Sequence, residues 1–330
     1  MRENGTGRGQ GDTVTDSGAA AEPVGLDDLD RAAEVFTGLR PRLFGIAYRM
    51  LSSATEAEDL VQEAWLRWQN TDRGVIRDPA AFLAATTTRL AINALQSARV
   101  RRETYIGPWL PEPVDTSADP YLGAERGEAL QFAALLLMEK LTPNERAAYI
   151  LREAFDYGYR EIADILRSTE PAVRQLVSRA RKHMAGERHT PVAAAEQREL
   201  LATFIKAART GDMAALEKLF APDVTGLSDG NGRVRIARIP LVGAERNAKF
   251  LAAMAWFWDG VTVDWIQTNG QTSALITRDG TLAGMITITA TADGIDRLLW
   301  QFNPDKITAR SVPAGHPLPA RSADVHAPRR

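Results

Sequence analysis

The sequence predicts a multidomain fold in which two all-α units precede a C-terminal α+β unit. Apolar residues recur at helical spacing over 29–102 and again over 125–187. Between these stretches, 103–124 holds four prolines, which indicates a linker. Within 196–309 the pattern changes from helical to strand spacing, with Asn-Gly and Asp-Gly pairs typical of tight turns. These observations define the units that we expect.

The composition is that of a globular protein and excludes several function classes. The net charge is −2, so any contact with nucleic acid must come from local basic patches, and acidic surface remains for a protein partner. There is no cysteine, which excludes disulfides, thiolate zinc sites and thiol redox chemistry. No apolar run reaches the ~18–20 residues of a membrane span, and the N-terminus does not resemble a signal peptide. We expect a cytoplasmic protein without cofactor, metal or membrane contact, and disordered tails at 1–28 and 310–330.

The first helical unit, 29–102, is expected to contain three helices. Apolar stripes that would face inward are formed by Leu43, Ile46, Ala47 and Met50, then by Val61, Ala64, Trp65 and Trp68. Thr55 followed by Glu58 fits a capping box between the two stripes. Asp78 and Pro79 fit the N-cap and first position of a third helix. The linker that follows, 103–124, is predicted to be extended rather than packed, because prolines interrupt regular structure and Trp109 stands alone.

The second helical unit ends in Tyr159–Lys182, where two short helices are predicted around a polar break, Arg167–Thr169. Upstream, Thr142 and Glu145 fit a capping box. In the last helix, the residues that face away from the apolar stripe are Ala172, Arg174, Gln175, Ser178, Arg179 and Lys182. Since Arg and Gln can make paired hydrogen bonds to base edges in a major groove, the stretch is typical of a DNA-binding helix-turn-helix. The alternative is an ordinary helical hairpin with a solvated basic face.

The C-terminal unit, 196–309, is expected to begin with helices around 200–210 and 212–220. Strands then follow at 261–265, 274–277, 285–290 and 295–302. The turn signals between them are Asn269-Gly270, Asp279-Gly280 and Asp293-Gly294. Helices followed by mostly antiparallel strands indicate an α+β fold.

A resemblance to a known family rests first on Asp59–Arg67, which reads DLVQEAWLR. This string resembles region 2 of the extracytoplasmic-function (ECF) sigma factors of bacterial RNA polymerase. The resemblance implies that the helix docks on the clamp coiled coil of core RNA polymerase, while the helix-turn-helix of region 4 reads the −35 promoter element near the polymerase flap. The outward residues of the docking helix are Asp59, Gln62, Glu63 and Arg67. A solvated helix face would explain these charges but not the specific string.

The segment 78–102 is similar to the part of region 2 that melts the −10 element. The resemblance implies that single-stranded DNA is lined by Arg89, Asn93, Gln96 and Arg99. The loop 70–77 lies where the family captures a flipped base. Polar pockets and basic grooves suit single strands, because flipped bases need edge contacts and phosphates need positive charge.

Three further motifs resemble the SigJ-like subgroup, whose members carry a C-terminal SnoaL-like domain, a cone of the SnoaL/NTF2 type. They are the linker motif Trp109-Leu110-Pro111-Glu112-Pro113, the hairpin motif Asp229-Gly230-Asn231-Gly232-Arg233, and the closing motif Asn303-Pro304-Asp305-Lys306. Two residues depart from the subgroup pattern: Asn231 replaces a glycine, and Arg233 replaces a lysine. Asn tolerates the positive φ that such a turn requires, and Arg keeps the charge with a different geometry.

The resemblance implies that the C-terminal unit regulates the sigma domains in cis, in place of a separate anti-sigma protein. SnoaL-like enzymes commonly use a histidine, yet none of the four histidines lies within 196–309, so we expect no enzyme activity. We expect instead that Asp229 and Arg233 bond to the linker backbone and that Trp109 anchors the contact. A small-molecule sensor in the cone stays open, as does a one-component regulator. An enzyme fused to a DNA-binding module is disfavoured by the missing histidines.

Overall fold

The computed structural model describes residues 26–117, 130–185, 190–232 and 236–307. The tails expected at 1–25 and 310–330 lie outside these ranges. Residues 26–28 were expected to belong to the N-terminal tail, but they form the start of a helix, where Asp28 pairs with Arg73. Within the described ranges, no helix is both long enough and apolar enough to span a bilayer.

Three helices form the first unit: α1 (Leu26–Leu51), α2 (Ala54–Gln69) and α3 (Pro79–Glu103). Helix α3 starts as predicted, with Asp78 Oδ1 accepting from the Ala81 amide at 3.0 Å. The capping box predicted at Thr55 is wrong. The N-cap of α2 is Ser53, two residues before Thr55, and its side chain accepts from the Glu56 amide. Ser52, which adopts a positive φ, lies between the end of α1 and this cap.

The second unit contains α4 (Phe132–Met138), α5 (Pro143–Glu153), α6 (Tyr159–Leu166) and α7 (Glu170–Ala185). The capping box of Thr142 and Glu145 at the start of α5 is confirmed. Between α6 and α7 the chain turns at Arg167, which takes the left-handed conformation, and Thr169 caps α7. A helix-turn-helix is therefore present.

The C-terminal unit wraps a six-stranded sheet around α8 (Ala194–Thr210), with α9 (Met213–Leu219) and α10 (Ala244–Ala253) at its side. Its strands are β1 (Phe220–Asp229), β2 (Leu241–Val242), β3 (Val261–Thr268), β4 (Gln271–Arg278), β5 (Thr281–Thr291) and β6 (Gly294–Gln301). The strand order is β2-β1-β6-β5-β4-β3, in which β1 runs parallel to β6 and the other pairs are antiparallel. The α+β prediction is confirmed, while β1 and β2 were missed.

The two helical units share one hydrophobic core, although the sequence suggested separate units. Arg146 of α5 is fully buried in it and reaches the first unit, donating to Arg49 O at 2.9 Å and to Ser52 Oγ at 2.6 Å. The prediction that the linker is not packed is wrong. Leu110 and Val114 are buried, and Leu110 packs with Phe132 of α4 on the outer face of the sheet. Every residue from 110 to 114 is buried, so this extended segment is packed although it forms neither helix nor strand.

Candidate polymerase and DNA surfaces and the buried junction

The face of α2 expected to dock on polymerase is open to solvent. Asp59 and Gln62 are exposed, while Glu63 and Arg67 form an ion pair at 2.8 Å one helical turn apart. The opposite face carries Trp68, which is buried and donates from Nε1 to Ala32 O at 3.1 Å. The amphipathic pattern of the helix thus leaves one polar face unpartnered within the described residues.

The outward residues of α7 are exposed, apart from the half-buried Ala172. Arg174 pairs with Glu170 and lies over the Tyr159 ring, 4.3 Å from its centroid. Arg179 donates from Nε to Glu145 Oε1 at 2.9 Å. Burial alone would raise the pKa of Glu145, but the hydrogen bonds from Thr142 and the Arg179 guanidinium outweigh it and hold that pKa below its usual value.

The remaining outward side chains of α7 make no contacts of this kind. Within the described part of the chain, Gln175, Ser178 and Lys182 have no side-chain hydrogen bond or ion pair. The face therefore combines two arginines held in place by glutamates with three freely oriented polar groups. That combination suits both phosphate contacts and base contacts.

Helix α3 presents Asn93 and Gln96 to solvent, and Arg99 lies on the same helix in a stretch whose side chains are outside the described residues. The expectation that Arg89 is exposed is wrong. Arg89 is half-buried and donates to Ile165 O at 2.8 Å and to Asp164 O at 2.9 Å. These carbonyls end α6, and the C-terminal end of a helix attracts a cation.

The loop expected to hold a flipped base contains a short 3-10 helix, Arg73–Val75, capped by Asp72. Beside it lies an open groove of about 580 Å³ between α2 and α3, lined by Asn70, Thr71 and Phe82. Arg167 of the helix-turn-helix lies at the edge of the same groove. The second unit therefore covers part of the surface that the sequence assigned to single-stranded DNA.

Glu112 of the linker motif caps helix α2 from a distance. Its carboxylate accepts from Ser53 Oγ at 2.7 Å and from the Thr55 amide at 3.0 Å. Its backbone amide donates to Ser52 O at 2.9 Å, and its carbonyl accepts from the Tyr48 hydroxyl at 2.6 Å. A carboxylate at a helix N-terminus is favoured by the free amides and by the helix dipole. The linker is thereby fixed to the first unit.

Asn269, in the turn between β3 and β4, is the residue that sequence reasoning missed. It is fully buried, and its Oδ1 accepts from the Val114 amide at 2.9 Å. Its Nδ2 donates to the Tyr48 hydroxyl at 2.6 Å and to Leu130 O at 3.0 Å. One side chain of the C-terminal unit therefore contacts the first unit, the linker and the start of the second unit. Burial, above all, raises the pKa of Tyr48, so its hydroxyl stays protonated and can donate onward to Glu112 O.

A second buried cluster joins the three subgroup motifs. Asp229 is fully buried, and its Oδ2 accepts from the Leu110 amide at 2.8 Å and from Lys306 Nζ at 2.7 Å. Lys306 Nζ also donates to Leu110 O and lies 4.1 Å from the centroid of the Trp109 ring. The predicted bond from Asp229 to the linker backbone is confirmed. Trp109 takes part through Lys306, which the prediction did not include.

The edges of this cluster are also polar. The Tyr105 hydroxyl bonds to Asp229 Oδ1 and accepts from Asn303 Nδ2 at 3.0 Å. Burial and then the bond to Asp229 raise the pKa of Tyr105. After Asp229 the chain turns through Gly230, Asn231 and Gly232, and Asn231 has the positive φ that was expected to be tolerable. Arg233 lies outside the described residues.

The interior of the cone is filled by aromatic side chains. Phe257 packs edge-on against Trp258, Trp300 and Phe302, with ring centroids 5.5–6.2 Å apart. The space left among the described lining residues is about 10 Å³, roughly one water molecule. The space among these described residues is too small for a metabolite.

The Sigma-70 region 2 family model matches residues 35–101, and the Sigma-70 region 4 family model matches residues 131–184. The chain is 36% identical over 305 residues to the ECF RNA polymerase sigma factor SigJ of Mycobacterium tuberculosis, a match covering 87% of this chain and 95% of that protein. It is 29% identical over 277 residues to the probable ECF sigma factor SigI of the same species, covering 83% and 93%.

The crystal structure of the M. tuberculosis SigJ protein superposes with a TM-score of 0.69 at 31% identity, covering 85% of this chain and 100% of that one. The resemblance read from the sequence motifs thus agrees with comparisons that span both helical units and the C-terminal unit. The chain belongs to the ECF sigma factors, which direct promoter-specific transcription initiation, and it carries a C-terminal α+β domain after regions 2 and 4.

Proposed function

We propose that this sigma factor docks on core RNA polymerase through the exposed face of α2, reads the −35 element through α7, and melts the −10 element through α3 and the loop 70–77. Its C-terminal domain regulates these steps in cis. It acts in the cytoplasm, where polymerase works, and catalyses no covalent chemistry of its own. The exposed polar face of α2 and the basic face of α7 support the first two assignments.

The observation that carries the regulatory part is the packing of α6 onto α3. Arg89, assigned to the −10 strand, is bonded to the end of α6, and the two helical units share one core. The centres of the −35 and −10 elements lie about 25 base pairs apart, roughly 85 Å of B-DNA at about 3.4 Å per base pair. Two surfaces on one compact core cannot reach both elements. We call this compact state the closed arrangement, and promoter binding requires it to open.

The C-terminal domain stabilises the closed arrangement at two places. Asn269 bonds to Tyr48, Val114 and Leu130, which belong to three different parts of the chain. Asp229 and Lys306 form a buried ion pair around the linker at Leu110. Releasing the linker would leave both buried charges without their bonds to the Leu110 amide and carbonyl, and an unsatisfied buried polar group costs about 1–3 kcal/mol. The domain biases the equilibrium by the difference in its contacts between the two states.

Run-off transcription with core polymerase tests the proposal. Removing residues from about 198 onward should change promoter activity while leaving the fold of regions 2 and 4 intact. Removing only the residues from Asn303 deletes Lys306 from its pair with Asp229, so it should raise activity. Excess core and matched sigma concentrations keep the comparison fair. If both truncated forms transcribe at the full-length rate, the cis-regulatory proposal fails. If no form binds core, the alternative of a one-component regulator gains.

A further inference from the structure

A cavity of about 310 Å³ lies outside the cone, where α4 of region 4 meets one end of the sheet. Ala134 and Leu137 of α4 form its apolar wall. Its polar wall is formed by Gln271 at the start of β4, Thr289 near the end of β5 and Arg297 in the middle of β6. The connection 190–194 closes a third side. Pockets of this size hold small molecules in other proteins, typically with apolar walls and a few polar groups.

Two polar side chains of this cavity lack partners. Gln271 is 8% exposed, and its Oε1 has no hydrogen-bond donor among the described residues. Arg297 is half-buried and has no hydrogen bond or ion pair in the same part of the chain. Buried polar groups are usually paired, so an unpaired buried carbonyl in the lining of a cavity is unusual.

Some neighbouring polar groups, by contrast, have partners. Thr289 donates to Asp296 Oδ1 at 2.7 Å. Gln197 donates from Nε2 to Thr272 O at 3.2 Å and to Ile288 O at 3.0 Å. Among the buried polar atoms of the described cavity lining, Gln271 Oε1 is the one left without a partner.

We propose that this cavity binds a small molecule with an acidic group and an N–H or O–H donor. The acidic group, a carboxylate or a phosphate, pairs with Arg297, whose planar guanidinium matches both anions. The donor bonds to Gln271 Oε1, and an apolar part rests on Ala134 and Leu137. The site differs from the cone interior, which is filled by aromatic rings.

The ligand would bridge region 4 and the C-terminal domain, because the two walls belong to different domains. A ligand that binds only the closed arrangement stabilises it by RT ln(1 + L/Kd), where L is the free ligand concentration and Kd its dissociation constant. This consequence rests on the proposed function, whereas binding itself does not. Bound ligand therefore lowers transcription if the closed arrangement is inactive.

Calorimetric titration of the full-length chain tests binding with two matched probe pairs. Hippurate and hippuramide differ in the carboxylate, and uridine 5′-monophosphate and uridine differ in the phosphate. At least one acid should bind at millimolar concentration, and its acid-free counterpart should bind roughly tenfold more weakly. The acid that binds identifies carboxylate or phosphate as the preferred head group. Absence of binding by both acids overturns the proposal.

Variants separate the site from nonspecific anion binding. Arg297→Met should remove the preference for the acid, and Gln271→Leu should weaken both members of a bound pair. Arg246→Met, on an exposed arginine of α10, is the matched control and should change neither. Both cavity variants should also keep or raise the thermal midpoint, since each removes an unpaired polar group. Acid binding that survives Arg297→Met, or a lowered midpoint in both cavity variants, contradicts the proposal. If binding holds but transcription is unaffected, only the link to the closed arrangement fails.

Discussion

At the scale of single residues, two side chains of the C-terminal domain make buried hydrogen bonds to several other parts of the chain. Asn269 satisfies groups of Tyr48, Val114 and Leu130, and Asp229 satisfies the Leu110 amide and Lys306. All of these bonds are buried or nearly so. Because a buried group that loses its partner costs far more than an average hydrogen bond gains, these two positions should dominate the closed arrangement.

Replacing Asn269 with glycine tests the first of them. Glycine accepts the positive φ of this turn, so the change removes the side-chain bonds without backbone strain. Each group left unpaired costs about 1–3 kcal/mol, and urea unfolding should show a loss of at least that size. Asn231→Gly is the matched control, since Asn231 also has positive φ but makes no buried side-chain bond among the described residues. If both variants lose the same free energy of unfolding, the side-chain bonds of Asn269 do not stabilise the closed arrangement.

The pair of Glu145 and Arg179 predicts a pH dependence. The pKa of Glu145 lies below its ordinary 4.5 in the folded chain, so its stabilisation is complete above that value and is lost as the pH falls through the folded pKa. Arg179→Ala should therefore cost more stability at neutral pH than near pH 3, by up to about 1 kcal/mol for this partly exposed pair. Lys182→Ala, on the same helix but without a partner in the described part of the chain, should show no such difference in urea unfolding at the two pH values. A pH-independent cost for Arg179→Ala would mean that the pair contributes nothing.

At the scale of elements, α2 and α7 carry the two surfaces assigned to partners. For α2, Glu63→Lys should weaken the affinity for core polymerase, because it reverses a charge on the exposed face. It should change the free energy of unfolding by no more than about 0.5 kcal/mol, since the pair with Arg67 is solvent-exposed. Glu199→Lys on the exposed side of α8 is the control for net charge. Unchanged core affinity in a pull-down would exclude α2 from the interface.

For α7, Arg174→Ala distinguishes base reading from phosphate contact. If Arg174 reaches a base edge, the variant should lose roughly 1–3 kcal/mol at its cognate −35 element and discriminate less at one base pair. Arg174 must leave its pair with Glu170 to reach a base, and the variant is spared this cost, so the measured loss is the contact energy minus the cost of breaking that pair. Arg160→Ala on α6 serves as the control of equal charge. Binding of both proteins should be measured on a set of −35 elements that each differ by one base pair. A loss that is equal on all of them identifies a phosphate contact, whereas a loss of discrimination at one base pair identifies a base contact.

The sequence predicted these elements unevenly, and the reasons are physical. Helix starts with local caps, such as Asp78 and Thr142, were predictable because both partners lie within four residues. The Asn-Gly pair predicted the turn at Asn269, but not that its side chain would reach Tyr48, 221 residues away in sequence. Strand β1 was missed because its residues alternate irregularly between buried and exposed. Arg89 looked exposed because its partner, the end of α6, comes from the other helical unit.

At the scale of the whole molecule, the closed arrangement joins all three parts of the chain. Regions 2 and 4 share one core, the linker is buried between them and the sheet, and the C-terminal domain is bonded to all three. In the mechanism proposed above, core polymerase supplies the free energy that opens this arrangement, and a ligand in the cavity beside α4 would oppose it. We expect promoter activity to rise with the fraction of protein that core polymerase opens and to fall with the fraction that the ligand keeps closed.

One distance measurement tests this claim directly. The chain has no cysteine, so Thr37→Cys on α1 and His183→Cys on α7 give two unique, exposed labelling sites outside the proposed contact surfaces. Pulsed electron resonance between spin labels at these sites should give one short distance in the free protein. Adding core polymerase should replace it with a much longer distance, and removing residues from about 198 onward should broaden the distribution without core. A short distance that persists in a transcribing holoenzyme would contradict the account.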